Sequence, residues 1–341
     1  MSRPEQPEAF LRGCAFPAGD AVAYPRADPS PLGERLPRDT WQAACLPVGV
    51  RFEIQGGASR LEIDYETQTE DLGYRGEGAG TAFSVWRGGI RVSDAPAKLG
   101  RQRVEVGLGE GEAPAILYLP EGMRPTVHAL RGLDGDIEPA PHQPRWLCYG
   151  DSIAEGWVAT GPALAWPAVV GRAQGLDVVN LGYAGSARGE IVSAEQIADL
   201  SADLISISYG TNCWTRTPSS AAAFRAGLEA FLDVVRQGHP ATPLLAVSPV
   251  LRPDAEQVPN RLGTTLSELR ASFEECVESR IAAGDAALVS ISGAALVAPE
   301  RLPDGIHPDD AGHAAIAAQL GPQLRSKLQG GASAGSWREQ A

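Results

Sequence analysis

The hydrophobic rhythm of the chain changes once, near residue 145, and that change restricts the possible fold more than any single residue does. Beyond it, short apolar runs at Trp146–Tyr149, Val178–Leu181, Leu204–Tyr209, Leu244–Val250 and Ala287–Ile291 alternate with stretches of helical period, among them Ala221–Gln237, Thr265–Ala283 and Asp310–Lys327. A strand that is apolar on both faces needs cover on both faces, and connecting helices supply it. The pattern therefore predicts a parallel sheet in a flavodoxin-like three-layer α/β/α domain over residues 145–328.

Ahead of the change the segments are short, broken by glycine and acidic turns, and half-wet: Val48–Ile54, Leu61–Gln68, Ala82–Trp86, Arg103–Val106, Ala115–Leu119 and Thr126–Leu130. Alternation such as Arg51-Phe52-Glu53-Ile54 marks strands with one face in water. They predict an antiparallel β-sandwich, jelly-roll-like, within residues 1–140, with the Pro- and Gly-rich residues 1–47 wrapping or extending it. Three prolines in Asp136–Pro144 read as a stiff linker, and the small residues of 329–341 as a flexible tail. With 341 residues, 43% of them hydrophobic, the chain is long enough for two cores.

Acidic side chains (42) outnumber basic ones (29) for a formal charge of −13, and no Lys/Arg run occurs, so nucleic acid and anionic membranes are excluded as expected partners. Met1–Ser30 has scattered charge and five prolines in place of an apolar core, and reads as neither signal nor transit peptide. No run is long enough to span a membrane. The cysteines, Cys14, Cys45, Cys148, Cys213 and Cys276, are odd in number and lack a CxxC pair, which argues against a zinc cage or a disulfide scaffold. A reduced, cytoplasmic protein is expected, with its cysteines serving as small apolar side chains.

In an open parallel sheet, ligands bind beyond the carboxyl ends of the strands, so the residues after each apolar run carry the functional information. The first run leads into Gly150-Asp151-Ser152. That puts a serine at a strand-to-helix turn with its N–H aimed at the same place, although a serine there also serves as a plain N-cap. The second leads into Asn180-Leu-Gly-Tyr-Ala-Gly-Ser186, where glycine lets a backbone N–H approach a ligand or simply makes a turn. The third leads into Gly210-Thr211-Asn212-Cys213, whose amide side chain can donate to a developing oxyanion or close an Asx turn. Near the C-terminus, Asp304-Gly305-Ile306-His307-Pro308 sets an aspartate three residues before a histidine in a constrained loop. There the carboxylate can curl back onto Nδ1–H and fix the tautomer a general base needs. His128, His142, His239 and His313 fall in or beside β segments and helices, where packing or capping accounts for them.

In this order the blocks resemble the SGNH hydrolase superfamily, the GDSL lipases and esterases. The match consists of Gly150-Asp151-Ser152 with Ile-Ala-Glu-Gly, Asn180…Gly185, Gly210-Thr-Asn212, and Asp304…His307-Pro with Gly312-His313, and covers roughly residues 145–328. The resemblance implies that Ser152 is the nucleophile, His307 the general base and acid, and Asp304 its orienting partner. It further implies an oxyanion hole of the Ser152 N–H, the Gly185 N–H and the Asn212 side chain; Gly182 competes, but the family's spacing from the asparagine selects Gly185. The family's third block commonly ends in Asp where this chain has Cys213, so the donor stays while the support of that loop is expected to differ. A sandwich ahead of the hydrolase domain resembles a subgroup that includes certain carbohydrate esterases and a salicylyl acyltransferase of tetracycline biosynthesis.

The expected chemistry is serine acyl transfer from a small-molecule or carbohydrate ester, needing no metal and no organic cofactor. Water is the expected second acceptor; an alcohol acceptor would make the enzyme an acyltransferase. Trp157, Tyr183 and Trp214 stand near the catalytic blocks and either line an acyl pocket or pack in the core. The sandwich is expected to shape one wall of the cleft. A carbohydrate-binding module tethered to an idle hydrolase domain is the alternative of another class, and oligomeric state is not encoded.

Overall fold

The computed structural model describes residues 4–19, 22–30, 35–70 and 80–334, with residues 330–334 described by backbone alone. The first half comprises β1 (Leu11–Arg12), helix α1 (Arg38–Ala44), β2 (Arg51–Gln55), β3 (Arg60–Thr67), β4 (Ala82–Arg87), β5 (Ile90–Pro96), β6 (Gly100–Gly107), β7 (Ala115–Tyr118), β8 (Pro125–Leu133) and β9 (Glu138–Pro139). One sheet runs β1-β2-β7-β4-β5 with β9 added to β2, the other β6-β3-β8, and the paired strands are antiparallel. Strict alternation in β3 turns Leu61, Ile63 and Tyr65 inward, where they share one apolar core with Phe52, Phe83, Val85 and Leu117 of the facing sheet. This is the expected sandwich. Strand β5 had no counterpart in the sequence pattern because it is an edge strand with little to bury: Ile90 is 71% exposed.

The second half comprises β10 (Arg145–Gly150), α2 (Ser152–Glu155), α3 (Trp166–Gln174), β11 (Asp177–Gly182), α4 (Ile191–Asp199), β12 (Leu204–Ser208), α5 (Thr211–Thr215), α6 (Ala221–Gly238), β13 (Leu244–Val247), α7 (Leu266–Ala282), β14 (Leu288–Ile291) and α8 (Asp310–Ala334). The strands form one parallel sheet in the order β11-β10-β12-β13-β14, the flavodoxin-like arrangement expected. Alternate residues of β10 feed two cores. Leu147 and Tyr149 join Phe231, Leu232 and Phe273 from α6 and α7, whereas Trp146 and Cys148 join Trp166 and Leu320 from α3 and α8. Strand order reverses at β10, so the loops after β10 and β12 part and leave a crevice at the carboxyl ends. Residues 329–334, expected in a flexible tail, continue α8, since a formed helix extends cheaply; the remainder of that expected tail, 335–341, lies outside the described residues. Among the described residues no helix is long and apolar enough to cross a membrane.

The N-terminal arm departs from expectation. Phe10 and Tyr24 do pack in the sandwich, but Ala27, Leu36 and Ala44 are buried in the core of the α/β domain. Arg26 explains the crossing. Its fully buried guanidinium donates to the carbonyls of Leu46 (2.7 Å), Ala43 (2.6 Å), Asn180 (3.2 Å) and Gly182, so the arm is tied to the end of β11.

The sandwich itself docks on the amino end of the edge strand β11. Arg51 donates to Asp177 Oδ1 (2.9 Å), the Val178 carbonyl (3.0 Å) and Glu53 Oε1 (2.8 Å). Burial alone would lower the Arg51 pKa, but Glu53 and Asp177 more than offset it and the guanidinium stays charged. Removing one partner of a buried pair leaves the other uncompensated, at about 3 kcal/mol or more. Arg51→Met should therefore lower unfolding stability by about 3 kcal/mol in a urea melt, and an unchanged midpoint would show that other contacts hold the two halves together.

Candidate active site

At the end of β10 the chain turns sharply into α2, and Gly150 is what permits it: a Cβ there would sit 2.6 Å from both the Ala154 side chain and the Ser208 carbonyl. The residue that caps α2 is Asp151, whose carboxylate accepts the Ile153 N–H (3.0 Å); burial pushes that carboxyl up to about 6. Ser152 is thereby released from the capping role open to it in the sequence and stands at the first helical position, with its Oγ toward the crevice and an amide that has no intrahelical acceptor.

The loop before α8 brings the histidine. His307 Nε2 lies 2.8 Å from Ser152 Oγ, and His307 Nδ1 lies 2.6 Å from Asp304 Oδ2. The second Asp304 oxygen accepts the N–H groups of Ile306 (2.9 Å) and His307 (2.7 Å), so the three-residue spacing holds the carboxylate against its own loop. With Nδ1–H directed at the carboxylate, Nε2 carries the lone pair that accepts the serine O–H. Burial lowers the His307 pKa below its ordinary value against the opposing effect of its hydrogen bond to Asp304, so the ring is neutral near pH 7. Burial would raise Asp304, but the His307 ring and the two amides outweigh it and hold the carboxyl low.

Ser152 and His307 share a cavity of about 340 Å³ with Gly185, Asn212 and Trp157. Gly185, at φ 70°, occupies the left-handed region its turn requires. Gly182 serves close packing instead, because a Cβ there would lie 2.4 Å from the Glu155 nitrogen; it is the point where β11 meets α2. Asn180 secures the same junction, donating to the Ala154 carbonyl (2.9 Å) and accepting the Gly182 N–H (2.8 Å). Asn212 donates one amide hydrogen to the Ala187 carbonyl (3.1 Å), which orients the group and leaves the other hydrogen for the cavity it lines. Cys213 replaces polar loop support with burial in the apolar core, which pushes its thiol up to about 12.

Of the three aromatic residues considered for the pocket, Trp157 alone lines it, with its ring centroid 6.0 Å from that of His307 and with Leu46 and Val48 of the arm packed behind. Tyr183 does not. It is buried, its hydroxyl donates to the Arg26 carbonyl (2.7 Å), and its ring lies beneath the Arg26 guanidinium. Trp214 is also turned away, held by the Val258 carbonyl (2.9 Å) and covered by Arg252. Nor does the sandwich supply a wall among the described residues, because it docks on the opposite end of β11. Sequence reasoning missed Thr211, Thr215, Arg216 and Arg252 in the lining, and missed Glu155, a buried carboxylate that accepts the Ala184 N–H (2.7 Å) beneath the turn carrying Gly185. Arg216 had a readable signal, its i+4 spacing from Asn212; the others depend on distant segments.

Residues 148–315 match the GDSL-like lipase/acylhydrolase family. Curated proteins offer no match. Among solved structures, a salicylyl acyltransferase of a tetracycline biosynthetic pathway, SsfX3, superimposes with a TM-score of 0.81 at 25% identity over 96% of this chain and 97% of its own. A Bacteroides ovatus protein assigned to the GDSL-like lipases gives 0.79 at 20% identity, over 96% and 98% of the two chains. A family two carbohydrate esterase from Cellvibrio japonicus gives 0.62 at 16% identity, over 96% and 99%. The motif order, the parallel sheet and the family match together place the α/β domain of this chain among the SGNH hydrolases, as a GDSL-like lipase/acylhydrolase domain over residues 148–315.

Proposed function

We propose that this ester-acting chain is a serine acylhydrolase that works through an acyl-enzyme on Ser152. The observation that carries the reading is the unbroken hydrogen-bonded relay from Ser152 through His307 to Asp304, opening onto a cavity shared with Asn212 and Gly185. In this mechanism Ser152 Oγ attacks the ester carbonyl while its proton passes to His307 Nε2. Asp304 stabilises the imidazolium, and the Ser152 and Gly185 amides with the Asn212 side chain receive the oxyanion. His307 then protonates the departing alcohol, and water repeats the sequence to free the acid. The cavity suits a small-molecule ester. No step calls for a metal or organic cofactor.

Transfer of the acyl group to an alcohol is the second reading, favoured by the likeness to the salicylyl acyltransferase, which extends through the sandwich as well as the hydrolase domain. An idle domain behind a sugar-binding module is disfavoured by the assembled relay.

Hydrolysis of a p-nitrophenyl ester series tests the reading. Ser152→Ala should lower kcat by roughly 10⁴-fold or more, and Asp304→Ala by a smaller factor, on the order of 10²–10⁴. Asn212→Ala should cost about 10²–10³. A Ser152→Ala protein as active as the parent would end the proposal, and acyl transfer to an added alcohol in preference to water would move it to the acyltransferase.

The pH profile gives an independent check. The reaction needs neutral His307, so kcat/KM should be complete above the His307 pKa and fall as pH drops through it. Because burial holds that pKa below the ordinary value, the acid limb should have its midpoint below about 6.5. A midpoint above neutrality would show that Asp304 raises the ring more than burial lowers it.

A further inference from the structure

The cavity at Ser152 is lined by two arginines and, among the described residues, by no carboxylate, in a chain whose formal charge is −13. The two are not equivalent. Arg252 has its fork committed to Asp254, with Nε and Nη2 at 2.8 and 3.1 Å from the two carboxylate oxygens. It donates a further N–H to Thr215 Oγ1 and stacks over Trp214 at 4.8 Å. It is a neutralised, fixed piece of wall.

Arg216 is different. It follows α5 one turn after Asn212, with its backbone N–H on the Asn212 carbonyl (2.9 Å), so both side chains rise on one helical face. Its Nη2, Cζ and Nε lie 3.6, 3.7 and 3.8 Å from the point where a side chain at Gly185 would begin, so the guanidinium lies flat across the glycine. A Cβ at position 185 would meet the guanidinium at ordinary contact distance, and glycine leaves that face open. Among the described residues no carboxylate or carbonyl is bonded to this guanidinium, which stands exposed at the cavity beside Gly185 and Asn212 with its fork open to a ligand.

We propose that Arg216 binds a carboxylate carried by the substrate ester, so that the enzyme selects esters with an anionic group close to the scissile bond. The planar fork matches a carboxylate through two parallel N–H···O bonds, and no carboxylate among the described residues of the lining repels such an anion. Arg216 is here a specificity residue acting on the substrate outside the reacting atoms. The proposal rests on Ser152 as the nucleophile and deepens that reading.

Two substrate pairs place the carboxylate on either side of the ester. On the acyl side, the mono-p-nitrophenyl ester of glutarate is compared with p-nitrophenyl valerate; on the alcohol side, p-acetoxybenzoate is compared with its methyl ester. In one pair the charged-over-neutral ratio of kcat/KM should fall about tenfold in Arg216→Met and decline with added salt. The pair that responds identifies the side. Arg216→Lys should keep part of the preference, because it keeps the charge and loses the fork. Ratios equal in parent and Arg216→Met for both pairs overturn the proposal. Calorimetric binding of the corresponding amides, which are not turned over, reads the same preference without catalysis. A charged amide bound equally by parent and Arg216→Met also overturns it, whereas turnover that survives Ser152→Ala removes the nucleophile and leaves the amide comparison to judge Arg216.

Discussion

The carboxyl end of the sheet is organised around a carboxylate that water cannot reach. Glu155 closes α2 with its side chain fully buried, and a carboxyl group in that position is tolerated only when paired and hydrogen-bonded. The Ala184 N–H supplies one bond, and Arg26, 3.7 Å away, supplies the charge. Arg26 comes from the N-terminal arm, so the arm has to cross the α/β domain. Its remaining hydrogens bind carbonyls of the arm and of β11, which pins three segments at one point. Those segments carry the helix of Ser152 and the turn that presents Gly185.

Tight approach does the rest. Gly150 and Gly182 bring β10, β11 and α2 closer than any side chain would allow, and Asn180 bonds the junction. The reactive groups therefore sit on short, braced turns. His307 has a self-contained support of its own: Asp304 is held by two amides of the loop it shares with His307, so ring orientation depends on that loop more than on the domain around it. Burial of the imidazole sets its protonation, and the aspartate sets its tautomer.

What was legible in the sequence follows from how local each feature is. The five apolar runs of the second half foreshadow β10 to β14 because a strand buried on both faces has to be apolar throughout. The aspartate and histidine could be paired on paper because three residues separate them. Features that depend on distant partners were not legible. Arg26 meets carbonyls 154 and 156 positions away, and nothing near it in sequence reports that. Tyr183 and Trp214 stand beside the motif blocks, yet their direction is decided by Arg26 and by the Val258 carbonyl, so proximity along the chain could not choose between pocket and core. The docking face of the sandwich was equally hidden, since Arg51 reads as a wet-face residue until β11 is beside it.

The contact between Ser152 and His307 joins residues 155 positions apart, at the first and last turns of the sheet. Chain synthesis delivers the serine first, and it has no base until β11 to β14 have been laid down in order and the final loop has closed over them. Through that interval Ser152 is an ordinary alcohol. On the proposed mechanism, a protein built this way is inert toward esters while it is still being made, and its turnover would report that the last strand has found its place.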